Sequence, residues 1–350
     1  MFDLIIIGAG PAGISAAYEA QKLNLNYLVI EKALIGNTIY NYPVGLTVFS
    51  TTGELEFNEG ALKAAREKPT REELLSYYVR FVLENDLNVQ TEEEVVSVEK
   101  LAENHFKVTT EKSIYPPANA GGTDKAAGKG VYESRNVLFA IGAMEYPRWL
   151  NVPGEDLPHV HHLFRETYPY VKKNAMVVGG GNSAGEAALF LAQEGANAIL
   201  AIFRDDWENN DPKQGCIKYW VKQPLEEELS KDCLNVYFLK RIVEIREKEI
   251  VLENENGRQE TFPNDVVFIL IGADAELGLL KDLGVKTRES KKYGEVPVYD
   301  EETFETNVPG VYVAGHFTEV RHIAGAINVP KKIVPKIAEK LTGAQASRLP

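Results

Sequence analysis

A short glycine-rich turn near the start of the chain has the residue types and spacing of a dinucleotide-binding site. Gly8, Gly10 and Gly13 directly follow an apolar segment and open a predicted helix. The first glycine permits a tight turn, the second lets the backbone approach a pyrophosphate, and the third lets helix and strand pack closely. Glu31 ends the next predicted strand, where its carboxylate would accept hydrogen bonds from an adenosine ribose. The sequence therefore predicts a bound dinucleotide at this turn.

A second turn of the same kind contains Gly179 and Gly181, with Ala184 at the third packing position. The position where a ribose-binding acid is expected is Ile202, which is apolar. Arg204 follows shortly after it, and a missing acid beside an arginine is typical of a site that reads the 2′-phosphate of NADPH. The turn therefore predicts NADPH, with NADH as the alternative.

The interpretation of Arg204 has a competitor, which is a solvated turn residue without a ligand. Asp205 and Asp206 follow it and would repel a phosphate at the same place. Two turns imply two dinucleotides, and a turn at the N-terminus is the usual place for a flavin. The inserted turn is the usual place for the nicotinamide donor, so FAD and NADPH are the expected pair.

Both turns belong to one repeated pattern of apolar strand, glycine-rich turn, alanine-rich helix and second apolar strand. The pattern covers residues 3–31 and 175–204, and its first helix is expected over residues 14–23. A later apolar strand at residues 310–314 precedes a predicted helix over residues 329–341. The sequence therefore predicts an α/β protein.

The predicted architecture is a two-dinucleotide-binding flavoprotein fold of two Rossmann-like, three-layer domains, one inserted into the other. We expect the FAD-binding domain to comprise residues 1–155 and 273–345, and the NAD(P)H-binding domain to comprise residues 156–272. The Pro-, Gly- and Lys-rich stretch 116–130 is predicted to be a solvated hairpin connection. Residues 346–350 are predicted to be a disordered tail.

Composition argues against several classes of function. A net charge of -13 disfavours a nucleic-acid partner, because phosphate binding needs a basic surface. The N-terminal apolar stretch, interrupted by Gly and Pro, is too short for a membrane span and has no basic region or cleavage site of a signal peptide. Two cysteines, Cys216 and Cys233, are too few for a disulfide framework and are not spaced as a redox or metal pair. A cytoplasmic protein without a membrane partner is expected.

Several segments resemble the thioredoxin-reductase-like flavoproteins. They are the turn at residues 8–13, residues 140–143 before 152–155, the turn at residues 179–184, and residues 309–315. A second set is more particular and resembles the bacillithiol disulfide reductase family: residues 39–43, 49–51, 68–71 and 217–221. The resemblance extends over nearly the whole chain and implies a homodimeric, FAD-dependent enzyme that oxidises NADPH.

The resemblance also implies which residues bind the cofactors. For FAD they are Gly8, Gly10, Gly13 and Glu31 at the pyrophosphate and ribose, Gly36, Asn37 and Thr38 beside the flavin ring, Gly315 and His316 near the ribityl and phosphate groups, and Pro11, Ala12, Lys32, Val96, Ala140, Ile141 and Gly142 elsewhere around the cofactor. For NADPH they are Gly179, Gly181, Asn182, Ser183, Ala184 and Arg204.

The chain departs from this pattern at its thiols. The Cys-x-x-Cys pair of thioredoxin reductases would fall on Leu163 and Glu166, and the cysteine proposed for the bacillithiol family is Ala12 here. Disulfide exchange needs a thiolate nucleophile, which alanine does not supply. Cys216 lies beyond the second turn, and a buried or incidental cysteine is the favoured interpretation.

Histidines are the remaining candidates for chemistry. His316 stands where the resembled group usually has an aspartate, so its imidazole could donate to a phosphate or relay a proton to reduced flavin, and a packed polar residue is the alternative. His159, His161 and His162 lie in a predicted linker without helical metal-ligand spacing. Surface or interdomain contacts are favoured over a metal site for these three.

The leading hypothesis is an oxidoreductase that passes hydride from NADPH to FAD and two electrons on to an acceptor that the sequence does not identify. A small disulfide reduced directly by flavin is one candidate acceptor. The alternatives are a reductase of a quinone or of a ferredoxin-like carrier, and a flavin- or nucleotide-binding redox sensor with slow turnover.

Overall fold

The chain forms two compact units. The computed structural model describes residues 1–112, 128–203, 216–231, 234–291 and 293–346. The first unit comprises Met1–Tyr40, Gly45–Glu145 and Ala275–Pro350, and the second comprises Asn41–Val44 and Tyr146–Asp274. Arg204, Cys233, most of the predicted connection at residues 116–130 and the tail from residue 347 lie outside the described residues.

The core of the first unit is a five-stranded parallel sheet. Its strands, in spatial order, are Val311–Val313, Val137–Phe139, Leu4–Ile7, Tyr27–Ile30 and Val89–Gln90. All but the last are buried along their whole length, as expected where both faces of a parallel sheet are covered. This sheet confirms the predicted α/β class.

Helices of the first unit are Pro11–Lys22, Asn37–Tyr40, Thr52–Leu55, Arg71–Glu84, Gly278–Asp282, Ile323–Asn328 and Pro330–Ala346. The first begins at Pro11 and not at residue 14 as predicted. Proline suits the first position of a helix because it has no N–H to satisfy and its φ is already helical. Pro11 therefore starts the helix within the glycine-rich turn itself.

A three-stranded antiparallel sheet also belongs to the first unit and consists of Glu93–Ala102, His105–Lys112 and Lys129–Ser134. Its third strand pairs Gly130 with Thr110 and Lys129 with Glu111. The end of the predicted connection at residues 116–130 is therefore strand, because its backbone completes a ladder that composition does not reveal. Thr287–Ser290 and Gly294–Pro297 form a separate two-stranded ribbon.

The second unit repeats the parallel architecture. Its five strands, in spatial order, are Leu234–Phe238, Asn197–Ile202, Asn174–Val178, Val266–Ile269 and Val160–His161. Helices Asn182–Gln193 and Tyr219–Leu229 and a short 3₁₀ turn, Tyr168–Tyr170, accompany them. Arg241–Ile245, Glu249–Glu253 and Gln259–Pro263 form a three-stranded antiparallel sheet.

Strand pairing, and not composition, sets where the second unit begins. Tyr146–Pro147 pairs with Ala273–Asp274, and Arg148 forms an ion pair of 2.6 Å with Asp274. Residues 146–155, predicted to end the FAD-binding domain, therefore lie in the second unit. His161, predicted to lie in a linker, belongs to an edge strand because Val160–His161 pairs with Val266–Ile269.

The short segment Asn41–Val44 also belongs to the second unit. The backbone N–H of Val44 donates to the carbonyl oxygen of Arg165 at 2.9 Å. No local pattern in the sequence predicts that this segment joins the second unit, because its hydrogen bond is to a residue distant along the chain. Among the helices described, none is long and apolar enough to cross a membrane.

Candidate functional site

The first glycine-rich turn is held by contacts that admit no side chain at two of its glycines. Gly8 has a φ of +106°, and a Cβ atom there would lie 2.5 Å from the carbonyl oxygen of Ala140. A Cβ on Gly13 would overlap the carbonyl oxygen of Gly8. These two positions therefore require glycine for the backbone alone, whether or not a ligand binds.

Gly10 is different, because a Cβ placed on it would meet nothing within 4 Å. Its backbone is extended, with a φ of -78°, and it caps helix Pro11–Lys22, where free N–H groups and the helix dipole favour an anion. No contact among the described residues explains why this position has no side chain. The open space at a helix N-terminus fits the pyrophosphate of a dinucleotide.

Glu31 is buried beside this turn. Its Oε2 accepts the N–H of Ala9 at 2.7 Å, and its Oε1 accepts the N–H of Ala33 at 2.9 Å. Burial raises its pKa, and the two backbone N–H groups oppose that rise. Each carboxylate oxygen can accept a further hydrogen bond, which leaves capacity for ribose hydroxyls. Lys32, next to it, lies 2.8 Å from a carboxylate oxygen of Glu145.

The segment predicted to border the flavin ring is attached directly to the turn. The N–H of Gly36 donates to the carbonyl oxygen of Ala9 at 2.9 Å, and helix Asn37–Tyr40 follows with Thr38 as its second residue. The Oδ1 atom of Asn37 is buried and has no hydrogen-bond partner among the described residues. A buried acceptor in this state favours a ligand that donates to it.

Residues at the ends of two neighbouring strands lie at the same edge of the sheet as the first turn. The N–H of Ala140 donates to the carbonyl oxygen of Ile7 at 2.8 Å, and Ile141 and Gly142 follow it in the chain. Gly315, with a φ of +102°, follows strand Val311–Val313. Because parallel strands present their carboxyl ends together, these residues and the turn lie at the edge of the sheet where open α/β sheets bind ligands.

His316 follows Gly315 at this edge. Burial, with electrostatic effects of the nearby Arg321 and His322, lowers its pKa to about 4. The imidazole of His316 is therefore neutral, and not protonated, at physiological pH. Val96, another predicted FAD residue, occupies a β-bulge between paired residues 95 and 97 and is 41% exposed.

Ala12 is buried in the first turn of helix Pro11–Lys22 and faces Gly315. A Cβ on Gly315 would lie 3.3 Å from the Cβ of Ala12. Beside Gly315 the chain therefore has the methyl group of Ala12 and no thiol.

Cys216 lies in the second unit beside Ile217, with its Sγ 3.9 Å from that residue's carbonyl oxygen.

The second turn reproduces the pattern of the first. A Cβ on Gly179 would overlap the carbonyl oxygen of Leu270 and lie 2.9 Å from the Cβ of Ala184. A Cβ on Gly181, which caps helix Asn182–Gln193, would meet nothing within 4 Å. This turn therefore offers the same open space at a helix N-terminus. Its first two helical residues are the predicted ligands Asn182 and Ser183.

Glu186 was not recognised from the sequence. It lies one turn into helix Asn182–Gln193, among the buried residues Ala184, Gly185, Ala187 and Ala188. Burial raises the pKa of Glu186 to about 7. Burial also raises the pKa of Tyr42, and the charge of Glu186 adds to that rise. An acid within an alanine-rich helix was the signal available in the sequence, but the burial of that acid is a property of the folded chain.

Glu186→Gln is expected to stabilise the protein in a pH-dependent way. The folded state favours the protonated carboxyl, so the stability that this group contributes is present below pH 4.5 and is lost as the pH rises through about 7. The variant should unfold like wild type near pH 4.5 and be up to about 3 kcal/mol more stable at pH 8. Urea unfolding at both pH values measures this difference.

The exposed Glu194, at the end of the same helix, provides a control for the loss of charge. Glu194→Gln should change the unfolding free energy by a small amount that is similar at both pH values. A Glu186→Gln effect of equal size at pH 4.5 and pH 8 would contradict the raised pKa.

His159, His161 and His162, which the sequence placed in a linker, have separate surroundings. The Nε2 atom of His159 lies 3.1 Å from the carbonyl oxygen of Arg246, and the His161 ring packs on Phe268. His162 packs on Trp149 with ring centroids 4.2 Å apart. Within the described part of the chain, no group of His, Cys, Asp or Glu is arranged to hold a metal ion.

Comparisons with known proteins cover both turns. The model of a family described as pyridine nucleotide-disulphide oxidoreductase matches residues 5–120 and 123–315. The chain is 34% identical over 311 residues to the bacilliredoxin reductase Bdr of Bacillus subtilis (strain 168), covering 89% of this chain and 88% of that protein. It is 27% identical over 326 residues to a ferredoxin–NADP reductase of Ignicoccus hospitalis, covering 91% and 90%. The structure of bacillithiol disulfide reductase Bdr from Bacillus cereus matches with a TM-score of 0.85 at 30% identity, covering 97% of this chain and 99% of that one.

Proposed function

Because this chain belongs to the pyridine nucleotide-disulphide oxidoreductase family, within the group of the bacillithiol disulfide reductases, we propose which of its residues carry the activity of that family. It is an FAD-dependent NAD(P)H oxidoreductase, and the flavin supplies two-electron redox chemistry between NADPH and an acceptor. The observation that carries the residue assignment is the pair of unfilled helix N-termini at Gly10 and Gly181.

The first turn and its neighbours are proposed to hold FAD. Gly10 admits the pyrophosphate, and Glu31 accepts hydrogen bonds from the ribose. The Oδ1 of Asn37, which has no partner among the described residues, accepts a hydrogen bond from the flavin. The remaining residues proposed to line this site are Gly8, Pro11, Ala12, Gly13, Lys32, Gly36, Thr38, Val96, Ala140, Ile141, Gly142, Gly315 and His316. A neutral His316 can donate one hydrogen bond to a phosphate or sugar oxygen and does so without a buried charge.

The second turn is proposed to hold NADPH through Gly179, Gly181, Asn182, Ser183 and Ala184. Arg204 remains the proposed reader of the 2′-phosphate. A cytoplasmic homodimer is part of the same proposal, and the presence of only two cysteines is compatible with a reducing compartment.

Electrons are proposed to reach the acceptor without a thiol of this chain, because Ala12 has no nucleophile to offer. A small disulfide that reacts directly at the flavin is one acceptor class. A protein electron carrier is the second candidate, favoured by the likeness to a ferredoxin–NADP reductase over nine-tenths of the chain.

An anaerobic panel of acceptors tests the proposal. Protein reduced by NADPH is mixed with low-molecular-weight disulfides, quinones, ferredoxin-like carriers and oxygen, and the return of the flavin absorbance is timed. Rapid reoxidation by one class identifies the acceptor. Slow reoxidation by every class, after complete reduction by NADPH, would instead support a redox sensor.

Replacing both cysteines by serine is expected to leave turnover intact. In the Cys216→Ser, Cys233→Ser variant, stopped-flow rates of flavin reduction by NADPH and of reoxidation by the active acceptor should stay within about twofold of wild type, since neither step uses a thiolate. Mass spectrometry confirms the substitutions. A variant that is reduced normally but fails with a disulfide acceptor would show that a cysteine takes part.

A further inference from the structure

The second turn is joined to the start of another helix by one hydrogen bond. Asn182 begins helix Asn182–Gln193, and Lys218 caps helix Tyr219–Leu229. The N–H of Lys218 donates to the Oδ1 of Asn182 at 2.8 Å. Two helix N-termini, each with a partial positive charge, therefore meet directly beside Gly181.

Gly185 makes this meeting possible. A Cβ on Gly185 would lie 3.0 Å from Val221 and 3.2 Å from Leu225, both of helix Tyr219–Leu229. Glycine in the interior of a helix costs about 1 kcal/mol relative to alanine, so close helix packing accounts for its presence here. Gly185 thus lets helix Tyr219–Leu229 pack closely on helix Asn182–Gln193, and this packing brings Lys218 next to Asn182.

The Lys218 side chain is exposed, and no carboxylate pairs with it in the part of the chain that the structure describes. The same helix contains Lys222, which lies 3.8 Å from Glu226, and is followed by Lys231, which lies 2.9 Å from Glu228. Lys218 is therefore the lysine of this region whose ammonium has no described counter-charge.

We propose that Lys218 is the positive partner of the pyrophosphate of the pyridine nucleotide at the second turn. This inference rests on the proposed function, since it assumes a dinucleotide beside Gly181. The pyrophosphate is favoured over the 2′-phosphate because Lys218 is bonded to the residue that follows Gly181. The 2′-phosphate would lie further away, beyond the end of strand Asn197–Ile202.

The test measures binding of NADP⁺ and NAD⁺ to the flavin-loaded protein by isothermal titration calorimetry. Lys218→Gln should raise the Kd of both nucleotides by about 5- to 20-fold, because both contain the pyrophosphate and lose one charge-assisted contact. The same variant should show a weaker dependence of Kd on salt concentration. Lys218→Arg, which retains the charge, should stay within about threefold of wild type.

Lys231→Gln is the matched control, because it removes a lysine just past the other end of the same helix. It should leave both Kd values unchanged. An unchanged Kd in Lys218→Gln would overturn the inference, and so would a loss confined to NADP⁺, which would assign Lys218 to the 2′-phosphate. Wild-type protein that binds neither nucleotide would overturn the proposed function itself.

Discussion

Gly10→Val is expected to purify as a folded but nearly colourless protein. The backbone of Gly10 is extended with a φ of -78°, a conformation that valine adopts readily, and a Cβ atom there would meet no atom of the described protein within 4 Å. It would instead fill the space assigned to the FAD pyrophosphate. Losing two or more charge-assisted hydrogen bonds, each worth about 1.5–3 kcal/mol, should weaken FAD binding at least 100-fold.

Absorbance near the flavin maximum, compared with protein concentration, measures this loss. Wild type should contain about one FAD per chain, and the variant less than about a tenth of that, with an unchanged circular dichroism spectrum. Gly343→Val is a matched control, because a Cβ there also meets nothing within 4 Å but the site lies on helix Pro330–Ala346. Full flavin loading in Gly10→Val would remove the assignment of FAD to the first turn.

The sequence predicted the elements whose signals are local. The continuous apolar segments Leu4–Ile7 and Asn174–Val178 lie at the centres of the two parallel sheets, and a glycine-rich turn and a helix follow each of them. These signals are strong because a buried strand needs apolar residues on both faces. In addition, a side chain is excluded at Gly8 and Gly13 of the first turn and at Gly179 of the second. The predicted fold class is confirmed by the two parallel sheets, and the predicted enzyme class is confirmed by the family model and the related reductases.

Elements that depend on distant pairing could not be read in the same way. Asn41–Val44 joins the second unit through a bond to Arg165, and Val160–His161 becomes a strand only by pairing with Val266–Ile269. Both segments are too short to show a periodic pattern of apolar residues. Glu186 was missed for a related reason, because its pKa follows from burial and not from its neighbours in sequence.

The candidate site divides along the same line. Glycines that exclude a side chain for backbone reasons, such as Gly8 and Gly13, would be required even in a protein without a ligand. Gly10 and Gly181 are informative about function because the fold itself would accept a side chain at both positions. The structure, and not the sequence, separates these glycines from those that the backbone requires. The residue assignments for the cofactors therefore stay predictions, which variants at the unconstrained glycines test most directly.

Gly181→Val is expected to give a yellow protein that NADPH no longer reduces at a useful rate. Gly181 has an extended backbone with a φ of -104°, which valine can adopt, and a Cβ atom there would meet nothing within 4 Å. The valine side chain would therefore occupy the space assigned to a pyrophosphate. Because the two turns lie in different units, flavin content should remain at about one per chain. The Kd of NADP⁺ should rise at least 100-fold by the same loss of hydrogen bonds.

The two valine variants together separate the two cofactors. Stopped-flow reduction of Gly181→Val at subsaturating NADPH should be at least 100-fold slower than wild type, whereas dithionite should reduce its flavin as fast as before, since dithionite needs no nucleotide site. If NADPH reduced the flavin of Gly181→Val at the wild-type rate, the nucleotide would have to bind elsewhere. Loss of flavin from Gly181→Val, with NADP⁺ binding retained, would mean that the two turns have been assigned in the wrong order.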